Sequence, residues 1–169
     1  LSLRRQRQMC IRDRPVSPHM AAAMQASPDE HVRDAQIVER LRTWLHECGM
    51  EAAIVETAGG VHSPSPSGSS QADLLRPLRL PTILVGSSVL GGISSTRASF
   101  ESLRMRGYDI DVVLMFTSPY YGNDTYLAQY FVEHGIPLFT IEKPPARVAD
   151  TPTDVARMQT PYPPTPPTP

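Results

Sequence analysis

Four short apolar runs in this chain are continuous rather than alternating: Ala52–Thr57, Thr82–Gly86, Val112–Phe116 and Pro137–Ile141. A strand buried on one face alternates apolar and polar residues, whereas one covered on both faces reads as an unbroken run. These runs have strand length and carry β-branched residues, which separates them from buried helices. Between the second and third lies Ser94 to Arg106, anchored by Phe100, Leu103 and Met105 and stopped at Gly107. Between the third and fourth lies Asn123 to His134, where Tyr126, Leu127, Tyr130 and Phe131 form a stripe before Gly135. Strands alternating with helices predict βαβ units with right-handed crossovers, hence an α/β fold around a mostly parallel sheet. Upstream, Ser27, Pro28 and Glu30 form a capping-box pattern. From there Val32, Ala35, Val38, Leu41, Trp44, Leu45 and Cys48 recur at helical steps up to Gly49, predicting a helix with one buried face.

Composition sets the boundaries of this core. Of 18 Pro in 169 residues, nine lie between Pro144 and Pro169. Residues 146–169 therefore read as a disordered Pro-rich tail that cannot join a packed core. Leu1–Arg14 carries five Arg, and residues 1–26 read as a disordered or adapter-derived arm in preference to a fragment of a mitochondrial presequence. Residues 27–145 are long enough for one modest core. With 16 Lys+Arg against 17 Asp+Glu, the chain is neither a basic nucleic-acid platform nor an acidic tail. No apolar run approaches the roughly 18 residues of a membrane span. Cys10 and Cys48 make no disulfide or zinc framework and fit a reducing compartment.

In a parallel sheet, ligands sit at the carboxyl ends of the strands, which predicts that Glu56, Gly59, Gly86, Ser87 and Thr117 share one edge. A carboxylate at a strand end followed by Gly59-Gly60 can hold Mg²⁺ while bare backbone approaches phosphate; it can equally be a solvated group with a turn behind it. Leu90-Gly-Gly-Ile-Ser-Ser-Thr96 opens a helix with free amides and the positive end of its dipole, an anion site unless Ser94 or Ser95 simply caps it. His62 suits a loop hydrogen bond. Ser63–Ser70 reads as a mobile lid or plain loop, with no Gly-x-Ser-x-Gly elbow. Tyr120, Tyr121, Tyr126 and Tyr130 have core spacing more than base-stacking character. Lys143 is the sole Lys, so no glycine-rich loop with a phosphate-binding Lys is present.

Several blocks taken together resemble the dethiobiotin synthase family, above all the synthase domain of eukaryotic bifunctional proteins that also carry diaminopelargonic acid aminotransferase. They are Val55-Glu-Thr-Ala-Gly-Gly-Val-His-Ser-Pro64, Gln71–Pro81, Ile83-Leu-Val-Gly86 with Leu90-Gly-Gly-Ile-Ser94, and Glu101–Asp109. The resemblance covers about Ser27 to Pro145. It implies a three-layer P-loop-NTPase-like fold represented by its carboxyl-terminal part, with the P-loop half and its Lys missing. It also implies ATP- and Mg²⁺-dependent closure of the ureido ring from 7,8-diaminopelargonate and CO₂, a homodimer, a mitochondrial location and a fused aminotransferase domain. By motif, Glu56 resembles the Mg²⁺ carboxylate, with Thr57, Ala58 and Gly59 forming the turn around the nucleotide. Gly91, Gly92, Ile93 and Ser94 resemble the helix start that takes the substrate's carboxylate, and Pro144 a proline near adenine. Where bacterial relatives place an adenine-binding Asn, this chain has Thr117-Ser118, which leaves either Asn123 as a substitute or adenine held in another way. No catalytic residue is carried over, so the chain alone is expected to be inert. The alternative is a non-catalytic P-loop-like interaction module dimerising through Leu90–Arg106. A third reading is a related amide- or carbamate-activating ligase acting on another substrate.

Overall fold

The computed structural model describes residues 17–25 and 33–142, all within one compact unit, Ser17–Pro144. The Ser27 capping box and Pro144 lie outside the described residues. Helix α1 spans Pro18–Gln25, in a stretch that the sequence reading assigned to an irregular arm. Helix α2 spans Asp34–Glu47, and its first turn is closed by the Gln36 side chain accepting the Arg33 N–H at 3.0 Å. The chain then forms α3, Gln71–Leu75, a 3-10 turn at Arg76–Leu78, and the alternating series β1 Thr82–Gly86, α4 Gly92–Met105, β2 Ile110–Phe116, α5 Asn123–Glu133 and β3 Leu138–Ile141.

The sheet runs β1-β2-β3 and is parallel throughout, pairing Leu84 with Val113 and Met115 with Thr140. Both helices stop in the same way. The N–H groups of Gly107 and Tyr108 bond back to the Arg104 and Leu103 carbonyls, and those of Gly135 and Ile136 to Val132 and Phe131. This is the Schellman pattern, which requires the left-handed backbone that Gly107 (φ 76°) and Gly135 (φ 70°) supply. Each stop aims the chain into the next strand.

A sequential order with right-handed crossovers puts both α4 and α5 on one face of the sheet. Burial agrees: Val113, Met115, Leu127 and Phe131 have no exposed surface, and Phe100 packs edge-on against Phe131 at 5.1 Å. Each such side chain contributes about 1.5–3 kcal/mol by leaving water. On the opposite face Ile83, Val85, Phe116, Phe139 and Ile141 are exposed, and no described helix covers them. Among the described residues only one helical layer lies on the sheet, because both crossovers have the same hand. The expected strand at Ala52–Thr57 is corrected. It joins no strand ladder among the described residues, and Ile54 is 88% exposed. A short apolar run becomes a strand only when a sheet edge pairs its backbone, and no edge pairs this one among the described residues.

The helical faces are narrower than predicted. Only Val38 of α2 is buried and Trp44 is 45% exposed, and α2 packs on α3 and the 3-10 turn. Met105 is exposed, and Thr96 takes the inward place beside Phe100 and Leu103. The serine-rich loop is folded. Pro64 bridges Ser70, and the fully buried Ser65 hydroxyl bonds those of Ser67 and Ser69. Asp34 at the start of α2 accepts from both Ser65 and Ser67.

Candidate functional site

The carboxyl edge of the sheet is built around the turn from β1 into α4. Gly86 ends β1 with no room for a Cβ, which would stand 2.9 Å from Met115 Cγ. Ser87 follows, and its N–H donates to the buried Thr96 hydroxyl at 2.9 Å. The chain then turns through Gly91, whose φ of 80° is the left-handed region that glycine tolerates, and α4 begins at Gly92. No side chain caps this helix. Ser95 instead donates to the Gly92 carbonyl at 3.2 Å, and Ser94 is exposed. The Gly92 N–H is used, bonding the Val89 carbonyl at 2.9 Å. The amides of Gly91, Ile93 and Ser94 have no partner among the described residues. Neither Ser94 nor Ser95 caps this helix start.

A cleft of ≈ 650 Å³ opens beside these amides, lined by Leu90, Gly91, Ile93, Ser94, Arg97 and Tyr121 among others. Arg97 is a cation one turn into α4, with its guanidinium 4.5 Å from the centre of the Tyr130 ring. It also reaches the Tyr126 hydroxyl at 3.4 Å and Glu101 at 3.7 Å. Contact with Tyr130 chiefly, then with Tyr126 and Glu101, holds its pKa above the ordinary value, so it remains charged. Its Nε is buried and unpartnered among the described residues. Free amides and a fixed positive charge in one cleft are suited to an organic acid or phosphate.

The structure brings together Gly86, Ser87, Thr117 and the Gly91–Ser94 turn. Thr117 leaves β2 at this edge, its N–H bonded to the Ile141 carbonyl at 2.9 Å. No strand pairing or hydrogen bond joins Glu56 or Gly59 to that edge among the described residues. Glu56 is exposed and without a partner among them, in a turn where the Thr57 hydroxyl donates to the Gly59 carbonyl at 2.7 Å. Ala58 is exposed in the same turn. Gly59 has φ 104°, and a Cβ there would strike Ser63 Oγ at 2.5 Å. The segment is anchored after the turn, where the Ala72 N–H bonds the Val61 carbonyl. Mg²⁺ is commonly held by one or two carboxylates together with phosphate oxygens and water. The unpartnered Glu56 fits that role as a single ligand. Among the described residues no group of three or more His, Cys, Asp or Glu forms a metal cage.

Two expectations about polar residues are corrected. Asn123 is 5% exposed and its amide nitrogen donates to the Ser87 and Val89 carbonyls, so it is not available to adenine. Tyr120 and Tyr121 are exposed on the loop after β2 and not in the core; Tyr130 alone of the four packs against it. Arg97 and the inward roles of Thr96 and Asn123 escaped the sequence reading. A basic residue one turn beyond Gly-Gly was a signal for the first; the other two depend on tertiary contacts.

A family profile described as an AAA domain matches residues 6–139. The chain is 52% identical over 135 residues to a bifunctional dethiobiotin synthetase/adenosylmethionine-8-amino-7-oxononanoate aminotransferase of Emericella nidulans, covering 80% of this chain and 17% of that protein. It is 41% identical over 143 residues to a bifunctional dethiobiotin synthetase/7,8-diamino-pelargonic acid aminotransferase of Oryza sativa, named as mitochondrial, with 83% and 17% covered. To an ATP-dependent dethiobiotin synthetase of Phenylobacterium zucineum it is 36% identical over 104 residues, 62% of this chain and 43% of the relative. The chain thus spans under half the length of each of these relatives.

Proposed function

This chain belongs to the AAA domain family, among its dethiobiotin synthetase members, and from that premise we propose that it serves ATP- and Mg²⁺-dependent closure of the ureido ring of dethiobiotin from 7,8-diaminopelargonate and CO₂. The observation that carries this reading is the uncapped start of α4. The Gly91, Ile93 and Ser94 amides, with Arg97 beside them, suit the carboxylate end of a diamino acid. Binding the unreactive end of a substrate in this way fixes where its amines lie.

Glu56 is the residue that would hold Mg²⁺, and the Thr57–Gly59 turn the stretch beside the phosphates. Bound ATP supplies the phosphoryl group that makes a carbamate oxygen a leaving group. The chain's own part is to orient the acid and keep the amines in reach. Homodimer formation, a mitochondrial location and a fused aminotransferase belong to the same proposal; the names of the fungal and rice relatives support the fusion, the rice name supports the location, and exposed Leu90 and Tyr121 lining the cleft support a dimer. Those same exposed side chains favour the rival, a non-catalytic interaction module.

Assaying the open reading frame that encodes these residues for dethiobiotin, with and without Glu56→Ala, separates the two. Loss of turnover by well over tenfold supports the synthetase reading; unchanged turnover favours the module.

A further inference from the structure

Asn123 opens α5 and is almost fully buried, yet its side chain serves a different element. Its amide donates to the carbonyls of Ser87 at 3.1 Å and Val89 at 2.9 Å, in the turn between β1 and α4. The same turn is held from a second side, where Thr96, 3% exposed, accepts the Ser87 N–H. From a third, the Gly92 N–H bonds the Val89 carbonyl. There is no slack in this arrangement. A Cβ on Gly92 would stand 2.1 Å from the Ser87 carbonyl oxygen and 2.6 Å from the Asn123 Nδ2.

We infer that Asn123 is a positioning residue for the substrate acid: its amide sets the Ser87–Val89 turn and so aims the Gly91, Ile93 and Ser94 N–H groups at one carboxylate. The inference rests on the reading that those amides bind the acid. Asn123 itself touches no substrate. A carboxylate shared by several amides is held well only when they converge, and a displacement of a fraction of an ångström weakens all of them together. Only a side-chain amide offers two N–H donors to two carbonyls in this space. A carboxylate of identical shape would place acceptors against acceptors, whereas a serine keeps one donor in a smaller volume.

That contrast supplies the test. 7,8-Diaminopelargonate is titrated into the 169-residue chain while the Gly91, Ile93 and Ser94 amide resonances are followed by NMR. The wild type is compared with Asn123→Ser, Asn123→Asp and Thr96→Val, each checked for folding by thermal melting. Affinity is expected to fall in the order wild type, Ser, Asp, with Asp weaker than wild type by roughly tenfold, the size of one to two lost hydrogen bonds. A residue that merely fills space would give the reverse order, Asp retaining affinity and Ser losing it, and that result overturns the inference while leaving the acid-binding reading intact. If Asn123→Asp does not fold, Thr96→Val decides, since it frees the Ser87 N–H from the other side; several-fold weaker binding supports the inference and unchanged binding overturns it. A wild-type chain showing no saturable shift at these amides overturns the acid-binding reading, and the inference with it.

Discussion

Asp73 shows how one side chain ties an outlying helix to the core. The Ser70 hydroxyl donates to it at 2.5 Å and the Arg106 Nε at 2.9 Å, and these bonds, Ser70 first, hold its carboxyl below the ordinary value of 3.8. A depressed folded-state pKa means that the unfolded chain binds the proton more readily, so the stabilisation is complete above 3.8 and disappears as pH falls through the folded value. Asp73→Asn should therefore flatten the acid side of a melting-temperature profile while changing little of its shape above pH 5. An acid limb identical to the wild type would show that the pair contributes nothing. Gly92 carries a second residue-level prediction. Its Cβ would meet backbone, which cannot rotate away, so Gly92→Ala should cost at least ~2 kcal/mol in denaturant unfolding. Gly60→Ala, with open space around it, should cost far less.

At the scale of elements, the two faces of the sheet set the energetics. Phe131 of α5 is fully buried against Phe100, so Phe131→Ala should destabilise by about 3–5 kcal/mol. Phe139 of β3 is 57% exposed on the open face, and Phe139→Ala should cost less than about 1 kcal/mol. Equal costs in urea titrations would mean that the open face is covered in solution. The same contrast explains the error at Met105. At 100° per residue Met105 lies about 140° around α4 from Phe100, whereas Leu103 and Thr96 lie within about 60° of it. Helix ends were easier to read, because Gly107 and Gly135 stop α4 and α5 through a local backbone conformation. The irregular course of Ala52–Thr57 was not, because strand formation there depends on a distant edge.

For the whole molecule, the proposed phosphoryl chemistry sets the prediction. On the proposed reading, the amides at the start of α4 and Arg97 take an acid and Glu56 a metal. The only Lys is Lys143, and no glycine-rich loop with a Lys cradles a triphosphate. MgATP should therefore bind this chain weakly or not at all in calorimetric titration, whereas micromolar affinity would contradict that reasoning.

The amino-acid order alone determined the parallel βαβ series, the glycine stops and the family, because each is written in neighbouring residues or in a contiguous motif. Only the tertiary structure decided that the described helices leave one sheet face uncovered, that the start of α4 is uncapped and that Asn123 grips the turn before it. Those outcomes depend on which groups meet across more than thirty residues of chain. Periodicity and local propensity carry no record of such meetings.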